Sequence, residues 1–548
     1  MNSAMPFTLL PPHVAAFADE LARARSRPPR LVETHISWLL LDGDCAWKIK
    51  KPLKLDFIDA AEPARRHWLC DEEVRLNRRL APGLYVGVVA LRDAAGAVVD
   101  HAVQMRQFPP GALASELLAA GRLDAAMLAS LAETLADFHR AAPQLSPDDA
   151  RVPADPAAIG ATALRVVDQL VALEANATGM SADAASSASA AMPTARHLAT
   201  LRDWLATEAA PLAPFWSARR AAGWTRDCHG DLHLANLVLL DGRLTAFDCI
   251  DFDPTLRCID VQADIAFPVM DLLAHGRRDL AFGLLDGWLQ SLGDFAGLAT
   301  LRFQLVERAL VRALVGRLTP GRAAATPDDA SGAASDASDA SPPRPDYLAL
   351  AADLAAAPAP RLLITHGLSG SGKSRLALDL LRHAGAIRLR SDVERKRLFG
   401  LAPRARSHAD EALARAGGIY TPEATRATFD RLFAHAAATL DAGWPVIVDA
   451  AFFRHDERAR FRNLARQRGV PFAILDCSAD PALLRARIAA RAAAGDDPSE
   501  ADLAVLDAQL RQREPLAADE AGCAISVDTG APIDIAAIDA RWAAASAD

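Results

Sequence analysis

The sequence predicts two unlike folds in succession. The first is an α+β unit, in which a small sheet with one helix leads into a mostly helical lobe. The second is an α/β unit built on a doubly wound parallel sheet. Three observations carry this. Past residue 358, short apolar runs alternate with helix-length segments. Before residue 318, strands come early as hairpins and helices dominate afterwards. Between them, TPGRAAATPDDASGAASDASDASPPRP (319–345) is rich in Pro, Ala, Ser and Asp and has no apolar periodicity, a linker composition. The expected organisation is a first domain over 1–318, a linker with the short helix DYLALAADLAA over 319–357, and a second domain over 358–548.

In the first domain, LVETHISWLLL, the turn Asp42-Gly43-Asp44 and CAWKIKK read as a hairpin. The charged stretch ARRHWLCDEEVRLNRRL follows as a helix. VGVVALRD and VVDHAVQMRQF form a second strand pair about Ala95-Gly96, and LDAAMLASLAETLADFHRA is a strong helix. The rest is helical apart from a strand pair near 236–252, with an Ala/Ser-rich insertion at 176–196. In the second domain, RLLITHG, AIRLRSD, PVIVDAA and PFAILDC are the strands. SRLALDLLRHA, EATRATFDRLFAHAAATLDAG, HDERARFRNLARQRG and PALLRARIAARAAA are the helices between and after them.

Composition narrows the function. With 548 residues, 51% hydrophobic and 24% charged, each half is long enough to bury its own core. A net charge of −9 gives no global field for nucleic acid, although a local basic channel is compatible with it. Seven scattered cysteines without a CxxC predict free thiols rather than disulfides or a zinc site. No leader or membrane-length apolar run is visible, so a cytoplasmic protein is expected. Lysine is scarce, six residues against an abundance of arginine. Lys48, Lys50, Lys51 and Lys54 fall together, Lys373 lies in a motif described next, and only Lys396 stands apart. Lysine therefore marks places where an ammonium is needed instead of a guanidinium.

Gly367-Leu368-Ser369-Gly370-Ser371-Gly372-Lys373-Ser374 fits G-x-x-x-x-G-K-[ST] between a strand and a helix. Its glycines let backbone N–H groups turn around phosphate oxygens, so Gly367, Ser369, Gly370, Ser371 and Gly372 are candidate ATP contacts. Lys373 is expected on the β/γ-phosphates and Ser374 on Mg²⁺. Asp449 ends the strand PVIVD, where a carboxylate meets Mg²⁺ or its water. Asp392 ends another strand at the carboxyl edge, placed to take a proton from a substrate hydroxyl. Arg395 is near enough to hold a substrate anion. Arg485, Arg487 and Arg491 precede a lid-like AAAGDDPSEADL, and Arg487 and Arg491 are the candidates to close on the nucleotide. These features resemble the small P-loop kinases, the group that includes gluconate kinases, zeta toxins and polynucleotide 5′-kinases, over roughly 358–530.

The first domain carries His229-Gly230-Asp231-Leu232-His233-Leu234-Ala235-Asn236, an H-x-D-x-x-x-x-N spacing like the protein-kinase catalytic loop, with Gly in place of Arg. Asp231 fits a base for a hydroxyl, and Asn236 fits a metal ligand. His229 reads as architectural, and His233 has no assigned task. A second carboxylate for Mg²⁺ belongs at the end of GRLTAFD. Asp248 is favoured there, with Asp251 a second ligand or the alternative. Asp260 and Asp264 are expected to fix the loop or cap the next helix. Upstream, Lys48 pairs with Glu73 to position phosphates, Lys50 and Glu72 being the substitutes. No glycine-rich loop precedes this hairpin.

This order resembles the aminoglycoside phosphotransferase/choline kinase branch of the kinase-like fold across about 30–318. With THISWLLL, KIKKP, EVRLNRRLAPGLY and HGDLHLAN, the whole chain is similar to a bacterial two-domain family of aminoglycoside phosphotransferase-like and P-loop ATP-binding proteins. The resemblance implies a bifunctional phosphotransferase using ATP and Mg²⁺ on small-molecule hydroxyls. The alternatives are an ATP-sensing regulator, or a nucleic-acid 5′-kinase in the second domain.

Overall fold

The computed structural model describes residues 10–546, except 56–57, 147, 153–157, 179–192, 319–344, 357–358, 408–417 and 495–496. Residues 319–344 of the expected linker and 179–192 of the 176–196 insertion lie outside the described residues. The chain divides into two compact units. The first comprises 1–131, 138–271 and 304–351, the second 132–137, 272–303 and 352–548. Residues 272–303 precede the linker in sequence yet cluster with the second unit. Among the described residues no helix is long and apolar enough to cross a membrane.

In the first unit, a five-stranded antiparallel sheet has the order β1-β2-β3-β7-β6. These strands are β1 (Arg30–Glu33), β2 (Ser37–Leu41), β3 (Cys45–Lys50), β6 (Tyr85–Arg92) and β7 (Val98–Arg106). The small hairpin of β4 (Lys54–Leu55) and β5 (Ile58–Asp59) stands outside it. Side chains alternate along a strand, and β3 uses both faces. Trp38, Leu40 and Ile49 join Val14 and Phe17 of the helix Pro12–Arg25 on one side. Ala46 faces the other way, with Cys70 and Val74 of the helix Pro63–Asn77. Lys48 and Lys50 share the face of Ala46, so both ammonium groups are carried under that helix. Further on, β8 (Thr225–Asp227) pairs with β11 (Cys258–Asp260), and β9 (Leu237–Leu240) pairs with β10 (Arg243–Ala246).

In the second unit, five parallel strands run in the order β13-β14-β12-β15-β16. They are β12 (Leu362–His366), β13 (Ile387–Arg390), β14 (Val446–Asp449), β15 (Phe472–Ser478) and β16 (Ala524–Asp528). Both faces are covered, so β12 and β14 are buried at every residue. The chain leaves β12 for β13, skipping the slot that β14 fills, and the crevice so formed lies at the carboxyl ends. Gly367–Ser374 and Asp449 both sit there. The edge strand β16 was not expected from sequence.

The helix Arg278–Leu292 belongs to this unit and buries Leu284, Leu285, Trp288 and Leu289. The Trp444 indole Nε1–H donates to the Leu298 carbonyl (3.1 Å), and Arg302 donates to the Gly443 carbonyl (3.1 Å). The P-loop sheet is thus completed by residues from the other side of the linker. Trp288→Ala is expected to destabilise the second unit by about 3–5 kcal/mol. In denaturant titration, the transition of the second unit should shift and that of the first should not.

Candidate functional site

In the first unit the two lysines of β3 meet one carboxylate. Lys48 Nζ lies 2.9 Å from Glu73 Oε1 and 2.6 Å from Asp248 Oδ1. Lys50 Nζ lies 2.8 Å from Glu73 Oε2 and 2.5 Å from Asp251 Oδ2. Each Glu73 oxygen therefore serves one ammonium, and each ammonium serves one aspartate. Burial favours a neutral Glu73, but the two lysines outweigh it and hold the carboxyl well below its ordinary range. Burial pushes the Asp251 carboxyl up, against the pull of Lys50. Asp248 is the open member of the set, its side chain 44% exposed against 7% for Asp251. Its backbone is left-handed (φ +62°), and its N–H donates to the Tyr85 hydroxyl (3.1 Å). Glu72 turns elsewhere, to Arg75 and Arg257.

The loop after β8 is held from behind by one buried carboxylate. Asp264 accepts the backbone N–H groups of His229 (3.2 Å) and Gly230 (2.8 Å) and lies 2.9 Å from His139 Nε2. His229 Nε2 meets the Phe247 carbonyl (2.9 Å), tying the loop to the segment before Asp248. Gly230 has φ +88°, and a Cβ there would lie 2.8 Å from the Leu256 carbonyl, so only glycine fits. Asp271 accepts the Leu234 N–H (2.8 Å). Asn236 Nδ2 donates to the Asp231 carbonyl (2.9 Å) and to its Oδ2 (3.1 Å). Asp260 does not touch the loop; it grips Arg219 at 2.6 and 2.8 Å and caps Gln262.

Burial raises the pKa of Asp231, but His233 at 3.3 Å, then Arg312 and His229, bring it down to about 2. The carboxylate is therefore ionised at neutral pH. Sequence reading gave no task to His233 and did not single out Arg312, His139, Tyr85 or Asp271. Tyr85 closes the EVRLNRRLAPGLY segment and His139 lies near the end of a regular helix, and neither stands in a catalytic motif of its own.

In the second unit, Gly367, Gly370 and Gly372 have φ of +145°, +83° and +80°. A Cβ on Gly370 would lie 2.6 Å from the Leu484 carbonyl. Ser374 Oγ donates to Asp449 Oδ1 (2.9 Å), and Asp449 Oδ2 is buried without a hydrogen-bond partner. Ser371 Oγ is likewise buried and unpartnered. A hydroxyl bonded to a carboxylate with one oxygen to spare is a donor set that fits Mg²⁺. Lys373 Nζ reaches the Leu368 carbonyl at 3.4 Å.

The lid arginines separate. Arg487 lies at the loop, donating to the Gly370 carbonyl (3.3 Å) and to Thr529 Oγ1 (2.8 Å), whose hydroxyl in turn donates to the Ser371 carbonyl (2.7 Å). Arg491 donates to the Ala501 carbonyl (2.6 Å), whereas Arg485 pairs with Asp507 on the surface. Asp392 lies in the first turn of the helix Ser391–Leu398, half-buried. Arg395 donates to the Ile419 carbonyl and to Thr425 Oγ1 (both 3.1 Å) and stacks over Tyr420. Lys396, the isolated lysine, is fully buried. Its ammonium binds the Pro498 carbonyl (2.7 Å) and Glu500 (3.1 Å), and Glu500 accepts the Ser407 N–H (2.9 Å).

This glycine geometry at the carboxyl edge of a parallel sheet defines a P-loop nucleotide-binding unit. Residues 362–516 match the family model for an AAA domain, AAA_33. The matched segment holds the phosphate loop and Asp449, and the chain is a kinase-type phosphotransferase. It is 29% identical over 482 residues to uncharacterized protein Rv2004c of Mycobacterium tuberculosis and to uncharacterized protein Mb2027c of Mycobacterium bovis. The match covers 87% of this chain and 89% of each relative, so it runs through both units. Among solved structures, the chain is similar to a sugar kinase from a Janibacter species, with 21% identity, 33% of this chain and 94% of that chain covered, and a TM-score of 0.25. It is also similar to a choline/ethanolamine kinase family protein from Mesorhizobium loti, with 13% identity, 57% and 88% covered, and a TM-score of 0.28.

Two outcomes test this geometry. Gly370→Ala should weaken nucleotide binding at least tenfold, read by calorimetry, because the methyl displaces the loop from Leu484. The depressed pKa of Asp231 makes its anion available at any pH well above about 2. With Asp231 as the base, phosphate transfer by the first unit should have a kcat that stays level from pH 8 to 5. An acid limb centred near pH 6 would show that a different group takes the proton.

Proposed function

We propose that the chain carries two ATP-dependent phosphotransferase sites, each acting on a hydroxyl of a small molecule. The observation that carries this reading is the placement of Lys48 between Glu73 and Asp248, in the unit whose neighbouring loop joins Asp231 to Asn236. In the first unit, Asp231 accepts the acceptor's proton as its oxygen bonds to the γ-phosphorus and the bond to the β-phosphate oxygen breaks, leaving ADP. Lys48 orients the α/β-phosphates, and Glu73 orients Lys48. Asn236 and Asp248 hold Mg²⁺. Asp251, committed to the buried Lys50, stands behind them. In the second unit Lys373 and the loop N–H groups bind phosphate, Ser374 and Asp449 hold Mg²⁺, Arg487 and Arg491 flank the nucleotide, and Asp392 faces the acceptor hydroxyl. When bound, Mg²⁺ neutralises charge on the transferring phosphoryl group. Seven cysteines, all free, suit a reducing cytoplasm.

A second reading, nucleotide sensing without transfer by the first unit, is favoured by one observation. The turn between β1 and β2, Thr34-His35-Ile36, contains no glycine to wrap a phosphate. Labelled ATP incubated with a bacterial metabolite extract separates the two readings, with products read by mass spectrometry. A product lost in Asp231→Asn alone (by ~10²–10⁴-fold) and another lost in Lys373→Ala alone are expected. A product pattern that Asp231→Asn leaves unchanged would make the first unit a sensor.

A further inference from the structure

A buried arginine stands beside the Asp449 oxygen that is left unpartnered. Arg388, on β13, is 6% exposed and has Nη1 3.9 Å from Asp449 Oδ2. That distance is too long for a hydrogen bond, and the same Nη1 instead donates to the Ser374 carbonyl (3.1 Å). An arginine so close to a free carboxylate oxygen would ordinarily close the gap. It is held back on its other edge. Asp286, 7% exposed, takes Nη2 at 2.6 Å and Nε at 3.3 Å. Gln290, one turn further along the same helix, donates from Nε2 to the Arg388 carbonyl (2.8 Å) and to Asp286 Oδ1 (3.2 Å). A three-residue ring thus fixes Arg388 from backbone to guanidinium. The other neighbouring cation, Arg390, has Nε 3.5 Å from Asp449 Oδ2 and Nη2 3.8 Å from Asp497.

We propose that Asp286 is a positioning residue for the nucleotide–metal site of the second unit, keeping Arg388 off Asp449 so that one carboxylate oxygen stays free for Mg²⁺. The inference rests on the nucleotide-site reading above. It extends that site to the helix Arg278–Leu292, which no phosphate-loop motif includes. Without Asp286 the guanidinium has no anion on that edge. Asp449 is then its nearest carboxylate, and the metal must compete with a buried ion pair.

The test is binding of a fluorescent ATP analogue to the full chain as Mg²⁺ is titrated, with the first site silenced by Lys48→Ala throughout. Asp286→Ala should raise the Mg²⁺ concentration for half-maximal binding at least tenfold, while binding at saturating Mg²⁺ stays close to that of the background protein. Asp286→Ala combined with Arg388→Met should restore the original Mg²⁺ dependence, because the released guanidinium is gone and only Arg390, which the background protein also has beside Asp449, is left. A merely structural role for Asp286 would not be rescued by a second core substitution. If Asp286→Ala does not fold, Asp286→Asn against the Asp286→Asn/Arg388→Met pair reads the same shift and rescue. An unchanged Mg²⁺ midpoint in the folded single variant, or a shifted midpoint that Arg388→Met fails to restore, overturns the proposal. Absence of Mg²⁺-dependent binding in the background protein itself would overturn the nucleotide-site reading, and the proposal with it.

Discussion

The constraint on which the first unit depends is the cost of burying charge. Glu73 is fully buried and Lys50 is 2% exposed, and neither can stay ionised there alone. The solution is a chain of pairs, Asp248–Lys48–Glu73–Lys50–Asp251, in which every interior charge has a partner on each side. Because the members come from β3, the helix Pro63–Asn77 and the segment after β10, the chain of charges fixes three distant pieces of sequence at once. The alternation of β3 is what makes it work: Ile49 fills one core while Lys48 and Lys50 reach the opposite face. A one-residue slip would bury Ile49 among carboxylates and send both ammonium groups into the apolar core.

The second unit meets its main constraint with backbone shape. Its loop must turn N–H groups inward beside other backbone, and at Gly367 and Gly370 any side chain would collide with the Cys477 or Leu484 carbonyl. The strand ends then deliver Asp449 to Ser374. In both units a carboxylate proposed for metal lies beside a basic side chain that is anchored elsewhere, by Glu73 in one and by Asp286 in the other.

Much of this was legible in the sequence, and the reasons are physical. A glycine-spaced loop between a buried strand and a helix is a local signal, so Gly367–Ser374 and its flanking elements could be read directly, and β12, β13, β14 and β15 follow from apolar runs. The edge strand β16 escaped because AISVD is short and half-exposed, with too few apolar residues to stand out. The stretch that holds the helix Arg278–Leu292 was expected only to be helical, as part of the first domain, and nothing in its pattern says which sheet it covers. Packing partners at a separation of about a hundred residues are set by tertiary fit. Asp264 was expected to fix the loop or cap the next helix, and its hydrogen bonds to two loop amides decide between the two only in the fold.

The two proposed metal carboxylates differ in one respect that bears on how each site is loaded. Asp248 is already bonded to an ammonium at 2.6 Å, whereas Asp449 Oδ2 has guanidinium groups at 3.5 and 3.9 Å and bonds neither. On the proposed reading, a metal brought to Asp248 would exchange one cation for another: Lys48 would leave the aspartate for phosphate oxygens while Glu73 keeps its hold. Nucleotide and metal would therefore enter that proposed site as a coupled pair. Asp449 needs no such exchange, since its free oxygen is kept open by anchors outside the loop. The geometry of the second proposed site is thus open to a metal as it stands, whereas that of the first would become so only with nucleotide in place.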